Sequence, residues 1–390
     1  MTIQGGLGWC GFSNTSINWI ISFIFIYTLL QYKNQSQPLI LINIYLIWLL
    51  IGIIRGLFVP ENYWEWKQLV TGSLTLSLPL LVFPFQSYTN TQAVLSHWLK
   101  YAIPCCILLL LFTPNGSYHF YIAPIFLLGC FLPLMPSKWK IIIGGLLLIM
   151  LVSNLGARSQ VIKAGITIII ALGVYFSKFI PTSFLKLIHC LCFGIPITLL
   201  FLGISGTFNI FEELSKNEDK YIEKKIVNGQ VVEENLSADT RTFIYEEVIE
   251  SAVKHNYVIW GRTPARGNDS DIFGTLTAEI LKTGKYERHT NELCHPNIFT
   301  WLGIIGVILY SLIYLRSSYL AVYKSNNIYI KFLGCFIAFR WAFGWIEDIN
   351  RFDIANIALW MIIAIGFSTQ FRLMENSDFR LWFKKIFHKL

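Results

Sequence analysis

Eleven apolar runs, most of them near the length needed to cross a lipid bilayer, leave this chain few choices of fold. A span needs about 20 mostly apolar residues. Runs of that kind lie near residues 17–31, 38–58, 68–85, 97–113, 119–136, 139–155, 161–177, 186–206, 297–315, 328–346 and 354–371. Charged residues make up 14% of the 390, against about 25% in soluble domains, and mean hydropathy is +0.54. Thirty Phe, 18 Tyr and 13 Trp suit a lipid-facing surface with aromatic belts. The predicted class is an all-α polytopic membrane protein with about 11 (10–12) transmembrane helices. Residues 1–16 hold no Lys or Arg for the basic start of a secretion signal, so the first apolar run is expected to be the first span.

One polar stretch, residues 207–296, divides a bundle of about eight spans (1–206) from a C-terminal part of about three spans and a basic tail (297–390). Structureless connections beyond about 15 residues are uncommon unless functional or disordered, so this loop is expected to do chemistry at a membrane face. Short-loop Lys and Arg mark the cytoplasmic side. With the tail (Arg372, Arg380, Lys384, Lys385, Lys389) inside, alternation puts Lys33, Lys100, Lys138, Lys140, Lys178, Lys186, Arg316, Lys324 and Lys331 there too. The long loop then lies outside. Within it, Lys225 to Val232 carries Asn228-Gly229 and predicts a hairpin with a type I′ turn. Asp239 or Thr240 caps a predicted helix over 241–255, with Ile244, Val248 and Ala252 on its apolar face and Phe243, Ile249 and Val253 beside them. Gly261 to Asn268 predicts a flexible basic turn.

The loop holds sixteen acids against eleven bases, while the rest of the chain holds seven against twenty. The one large soluble segment is therefore acidic, which argues against nucleic-acid binding. Six of the eight cysteines (Cys105, Cys106, Cys130, Cys190, Cys192, Cys335) lie in apolar runs, and only Cys10 and Cys294 sit in polar ones. Neither a disulfide framework nor a metal site is indicated. Zinc-protease, serine-hydrolase and nucleotide-binding motifs are missing as well.

The charges that break the topology rule carry the candidate chemistry. Arg55, Arg158 and Arg351 sit at external helix ends, and Arg340 lies inside a span that ends Trp345-Ile346-Glu347-Asp348. Ionisable groups at membrane depth are rare and face an interior. The plain alternative for Arg340, Glu347, Asp348 and Arg351 is a self-compensating cluster tying two helices. Arg158 can snorkel to headgroups or clamp a phosphate, since guanidinium binds phosphate oxygens bidentately and stays charged. Arg241, Arg262, Arg266 and Arg288 either pair with loop glutamates or bind an anion. Arg241 falls in the first turn of its helix, where the dipole disfavours a cation. His289 and His295, just before the ninth run, are candidate general bases. Glu292 is either a third candidate or the ion-pair partner of Arg288 four residues earlier. Trp260, Tyr257 and Tyr286 are the loop's aromatic candidates for stacking on a ligand.

Several patches form a familiar set: Gly156-Ala157-Arg158-Ser159 opening a span, Arg241 starting a loop helix that leads to Trp260-Gly261, a His- and amide-bearing segment before Gly303-Ile304-Ile305-Gly306, and Phe339-Arg340 through Glu347-Asp348 to Phe371-Arg372. The chain resembles the superfamily of O-antigen polymerases (Wzy-type) and O-antigen ligases of bacterial polysaccharide assembly, over most of its length in topology and in patches by residue. The resemblance implies a GT-C-like inverting glycosyltransferase of the bacterial inner membrane. The loop would be periplasmic, the C-terminus cytoplasmic, and the donor a glycan on undecaprenyl diphosphate, with no metal or other cofactor. It implies that Arg158 and Arg241 hold the diphosphate; Arg262 and Arg288 are further candidates. Membrane lipid, a chain-length regulator and a flippase are implied partners. The ligase-like His-Asn pairing, measured back from Gly303, falls near Asn291-Glu292 with His289 and His295 on either side, so the base stays open among His289, His295 and Glu292. A polymerase is the expected function, a ligase its runner-up. A transporter would show internal repeats, and none is seen. The elementary chemistry agrees, because a departing diphosphate leaves charge that fixed cations can stabilise.

Overall fold

The computed structural model describes residues 15–35, 39–105, 122–152, 158–208, 222–227, 230–235, 241–271, 273–281 and 284–387. Among the described residues the regular structure is helical apart from two short antiparallel pairs. Before the loop come α1 (Thr15–Gln35), α2 (Ile40–Gly56), α3 (Tyr63–Leu76), α4 (Tyr88–His97), α5 (Ser137–Val152), α6 (Arg158–Tyr175) and α7 (Thr182–Ile204). The loop contributes β1 (Ile222–Val227), β2 (Gln230–Asn235), α8 (Thr242–Lys254), β3 (Asn268–Asp269), α9 (Gly274–Leu281) and β4 (Glu287–Arg288). After it come α10 (Cys294–Tyr323), α11 (Ile328–Phe343), α12 (Ile354–Phe367) and α13 (Asn376–Lys385).

Three described helices are long and apolar enough to cross a membrane: Tyr63–Phe85, Thr182–Gly203 and Cys294–Tyr323. Four more, Trp19–Lys33, Ile40–Gly56, Ser159–Tyr175 and Ile354–Phe367, are apolar but shorter. The expected run at 119–136 is broken where it is described. Pro124 and Pro133 each remove a backbone donor, and only Ile125–Gly129 and a 3₁₀ turn at Leu132–Leu134 form. The run at 97–113 starts as a π turn, Trp98–Ala102, continuing α4, and residues 106–113 lie outside the described residues. The tail, expected only to be basic, forms α13, which Glu375 and Asp378 start as a capping box.

α10 is the central element, flanked by α2, α7, α11 and α12. Trp301, Tyr310, Tyr314, Trp360 and Tyr45 fill the core around it with at most 1% exposure. Burial separates inner from outer helices: the most apolar window of Tyr63–Phe85 is 78% buried, that of α7 only 17%. Phe184, Leu187, Leu191, Ile195 and Phe201 line the outward face of α7. Apolar exposure on that scale calls for an apolar surrounding rather than water.

α10 is kinked at Gly303, whose φ of 68° and ψ of −171° interrupt the helix. The residues after the kink, 304–323, span about 30 Å at 1.5 Å per residue. The loop backbone enters the kink: Ile304 N–H donates to the Val258 carbonyl (2.9 Å), Arg262 N–H to Thr300 (2.6 Å) and Thr263 N–H to Trp301 (3.2 Å). From α2, Trp48 Nε1 donates to the Leu302 carbonyl at 3.0 Å, and Arg55 to the carbonyls of Trp260 (2.8 Å) and Gly261 (3.2 Å). The segment expected as a flexible basic turn is therefore packed, with Ala265 fully buried and Gly267 against the Arg288 carbonyl. β1 and β2 pair from Ile222↔Asn235 to Val227↔Gln230, and the turn between them, residues 228–229, lies outside the described residues. α8 buries Ile244, Val248, Ser251 and Ala252, while Ile249 and Val253, expected on its apolar side, are exposed. A helix docked on one side buries a narrower stripe than its apolar content allows.

Candidate functional site

α11 ends at Phe343, and the turn after it is the junction of loop and bundle. The N–H groups of residues 344–347 take up the last carbonyls of α11, and the carbonyls of this turn are themselves bonded by other elements. Cys294 N–H, at the start of α10, donates to the carbonyls of Gly344 (3.1 Å) and Glu347 (3.2 Å). Tyr245 Oη donates to Trp345 (2.5 Å) and Arg241 Nε to Ile346 (3.2 Å). The first turn of α8 is thus fastened to the 344–347 turn through two side chains. Arg241 itself sits at the N-cap position of α8, so the sequence expectation that more than helix stability holds it there has a physical counterpart.

The Glu347 side chain points from this turn to α6. One carboxylate oxygen lies 2.8 Å from Lys163 Nζ and the other 3.4 Å from Arg340, with a further hydrogen bond from Ser159. Burial pushes the Glu347 carboxyl up, but Lys163 and Arg340 outweigh it and hold the group below its ordinary range. Beside it, Asp348 pairs with Arg351 at 2.8 Å, and burial raises its carboxyl despite that cation. Asp353 caps α12 on the Asn356 N–H (2.8 Å), and burial lifts it to about 6. Arg158 begins α6 five residues before Lys163, so its backbone is anchored to the same turn through Ser159 and Lys163. Its side chain lies outside the described residues, as do residues 154–157.

Other candidates are spent on structure. Arg262 meets Asp269 and Glu287, both at 3.0 Å, and Arg266 binds Glu287 through both Nε and a terminal nitrogen. Arg288 lies over the Phe273 ring at 4.3 Å and approaches Glu292 at 3.8 Å. That pair forms without a helix, since Arg288 is in β4, and the Glu292 side chain is 67% exposed. Arg55 serves the loop carbonyls already described.

His289 is half-buried behind Glu287. Gln68 donates to its carbonyl (3.2 Å), and its Nδ1 has no hydrogen-bond partner among the described residues. Burial holds its imidazole below the ordinary value although Glu287 and Glu65 pull the other way, so it is unprotonated at neutral pH. His295 is buried at the start of α10, its ring parallel to Trp345 at 4.1 Å and edge-on to Trp341 at 5.5 Å. Neither ring nitrogen has a hydrogen-bond partner among the described residues; the Gly344 carbonyl attracts the ring without reaching hydrogen-bonding geometry. Of the three base candidates, His289 pairs a half-buried ring with a buried Nδ1 that has no hydrogen-bond partner among the described residues. Among the stacking candidates, Tyr257 is buried and donates to Ser251 (2.8 Å), whereas Trp260 stacks on Trp48 at 4.9 Å and remains half exposed, as does Tyr286.

The structure thus brings Arg241, Arg340 and Glu347 together with the start of α6. It adds Lys163, which the sequence reading missed although the rule applied to Arg340, an ionisable group inside an apolar run, marks Lys163 equally. Among the described residues no group of three or more His, Cys, Asp or Glu is placed to hold a metal ion. Compared with protein families, curated proteins and solved structures, the chain matches none.

Proposed function

We propose that this chain is a polysaccharide polymerase of the bacterial inner membrane. It joins oligosaccharide repeat units carried on undecaprenyl diphosphate by inverting glycosyl transfer. The eleven-span topology, with the long loop periplasmic and the C-terminus cytoplasmic, belongs to that proposal. One observation carries it. The helix opened by Arg158 and the helix capped by Arg241 are both fastened to the 344–347 turn, where Lys163, Arg340 and Glu347 also meet. A diphosphate leaving a sugar develops charge on its oxygens, and fixed cations in a water-poor site stabilise it strongly. The acceptor hydroxyl needs a proton acceptor opposite the leaving group, and His289 is unprotonated at neutral pH with an unengaged Nδ1. A polyprenyl tail would lie along the apolar helices.

The test is complementation of a deletion strain. Arg158→Ala and Arg241→Ala are each expected to abolish chain extension at normal protein level. Full-length polymer from either variant rejects the clamp. The deletion itself separates the ligase alternative: single-repeat lipopolysaccharide marks a lost polymerase, unattached polymer a lost ligase.

A further inference from the structure

Lys163, Arg340 and Glu347 put two cations on one carboxylate at the inner side of the candidate site. The Lys163 and Arg340 side chains are 7% exposed and that of Glu347 is 19% exposed, so the carboxylate stands between the cations and the outside. Nearby acids are committed elsewhere. Asp348 holds Arg351 with one oxygen and accepts from Asn350 N–H with the other, and Asp353 caps α12. Three cations, Lys163, Arg340 and Arg351, thus meet three carboxylates, and Glu347 is the carboxylate that Lys163 and Arg340 share; Arg241 reaches the neighbouring carbonyl at Ile346. Two buried cations cannot be left without an anion, since an uncompensated buried charge costs several kcal/mol.

We propose that Glu347 is an internal stand-in for a pyrophosphoryl group. Its two oxygens hold the positions beside Lys163 and Arg340 that phosphate oxygens take on binding, and the carboxylate turns outward as they arrive. This rests on the diphosphate-transfer reading above and assigns Lys163 and Arg340 as ligand-contacting residues. A carboxylate and a phosphate present similar paired oxygens to cations, so one can replace the other without rebuilding the site. After sugar transfer, return of the carboxylate expels the product diphosphate, so the same group keeps the cations compensated between turnovers and limits product retention.

The probe is inorganic pyrophosphate, titrated against the purified full-length protein in lipid nanodiscs and followed by calorimetry. Glu347→Gln is expected to bind pyrophosphate at least about tenfold more tightly than the native protein, because no internal anion competes. Lys163→Met is expected to bind at least about tenfold more weakly. Equal or weaker binding by a folded Glu347→Gln protein overturns the proposal. Should that variant fail to fold, Glu347→Asp decides by the same criterion, since the shorter side chain cannot reach both cations. The native protein gives an independent reading: saturating pyrophosphate should increase carbodiimide labelling of Glu347 seen by mass spectrometry, and unchanged or reduced labelling refutes the exchange. No glycan enters these measurements, so their failure leaves the polymerase reading standing. If Arg241→Ala still makes polymer while Glu347→Gln binds as expected, the Arg241 clamp falls and the exchange stands; if the deletion strain itself still makes polymer, the polymerase reading falls and the exchange stands.

Discussion

Gly303→Ala tests whether the loop is held by the kink in α10. The φ of 68° with ψ of −171° lies in a region open essentially to glycine, and forcing another residue there costs about 1–3 kcal/mol. A Cβ would also lie 2.6 Å from Gly261 N and closer still to the Ile259 carbonyl. Both are backbone atoms that no rotamer change can move aside. The loop strand must retreat, and with it go the bonds between Ile304 and Val258, Arg262 and Thr300, and Thr263 and Trp301, at about 1 kcal/mol each. Together the terms give about 4–6 kcal/mol of lost local stability, or roughly a thousandfold or greater rise in opening. Amide hydrogen exchange over residues 257–263, measured in nanodiscs, should accelerate by that factor. Gly145→Ala is the control: its Cβ meets nothing within 4 Å in the middle of α5, so the substitution should stabilise by about 0.5–1 kcal/mol. Unchanged protection at 257–263 in Gly303→Ala would refute the idea that the kink docks the loop.

Two further expectations concern pH. His289 has a folded-state value depressed by burial, so it is unprotonated above the ordinary value near 6.5 and is lost as a base only at lower pH, as pH falls through its depressed folded-state value. Initial rates in proteoliposomes should be level above about pH 6.5 and fall with acid, His289→Gln should abolish them, and a rate that rises toward acid excludes this base. Asp269, ringed by Lys254, His255 and Arg262, is lowered from 3.8 to about 2. It contributes about 2 kcal/mol that is present above pH 4 and lost as pH falls through 2; thermal unfolding of Asp269→Asn should therefore show a smaller acid loss than the native chain, and equal losses count against it.

The helical class was legible because apolar content and run length are summed properties that no single contact can reverse. The loop helix was legible for the same reason, from Ile244, Val248 and Ala252 at helical spacing. The interruption after Pro124 was also written in the chain, but a tally of apolar residues does not weigh a missing N–H. What stayed hidden depends on distance along the chain. Nothing near Arg262 announces Glu287, and nothing near Arg55 announces the carbonyls of Trp260 and Gly261. Guanidiniums for which the sequence left ion pairing or anion binding open are thereby committed to structure. The Arg241 position was readable because a cation at a helix start is locally unfavourable, a conflict visible without the fold.

The loop is attached to the bundle at Cys294 and again at Gly303, separated by about 13 Å along the first turns of α10. The two attachments differ in kind. At Gly303 three backbone–backbone bonds hold the loop, with Trp48 and Arg55 adding side-chain donors to neighbouring carbonyls. At the 344–347 turn a guanidinium and a phenol hold neutral carbonyls, and a guanidinium gains roughly twice as much from an anionic acceptor. On the proposed diphosphate chemistry, an anion brought to this turn would find Arg241 at hand while the bonds at Gly303 keep the loop docked.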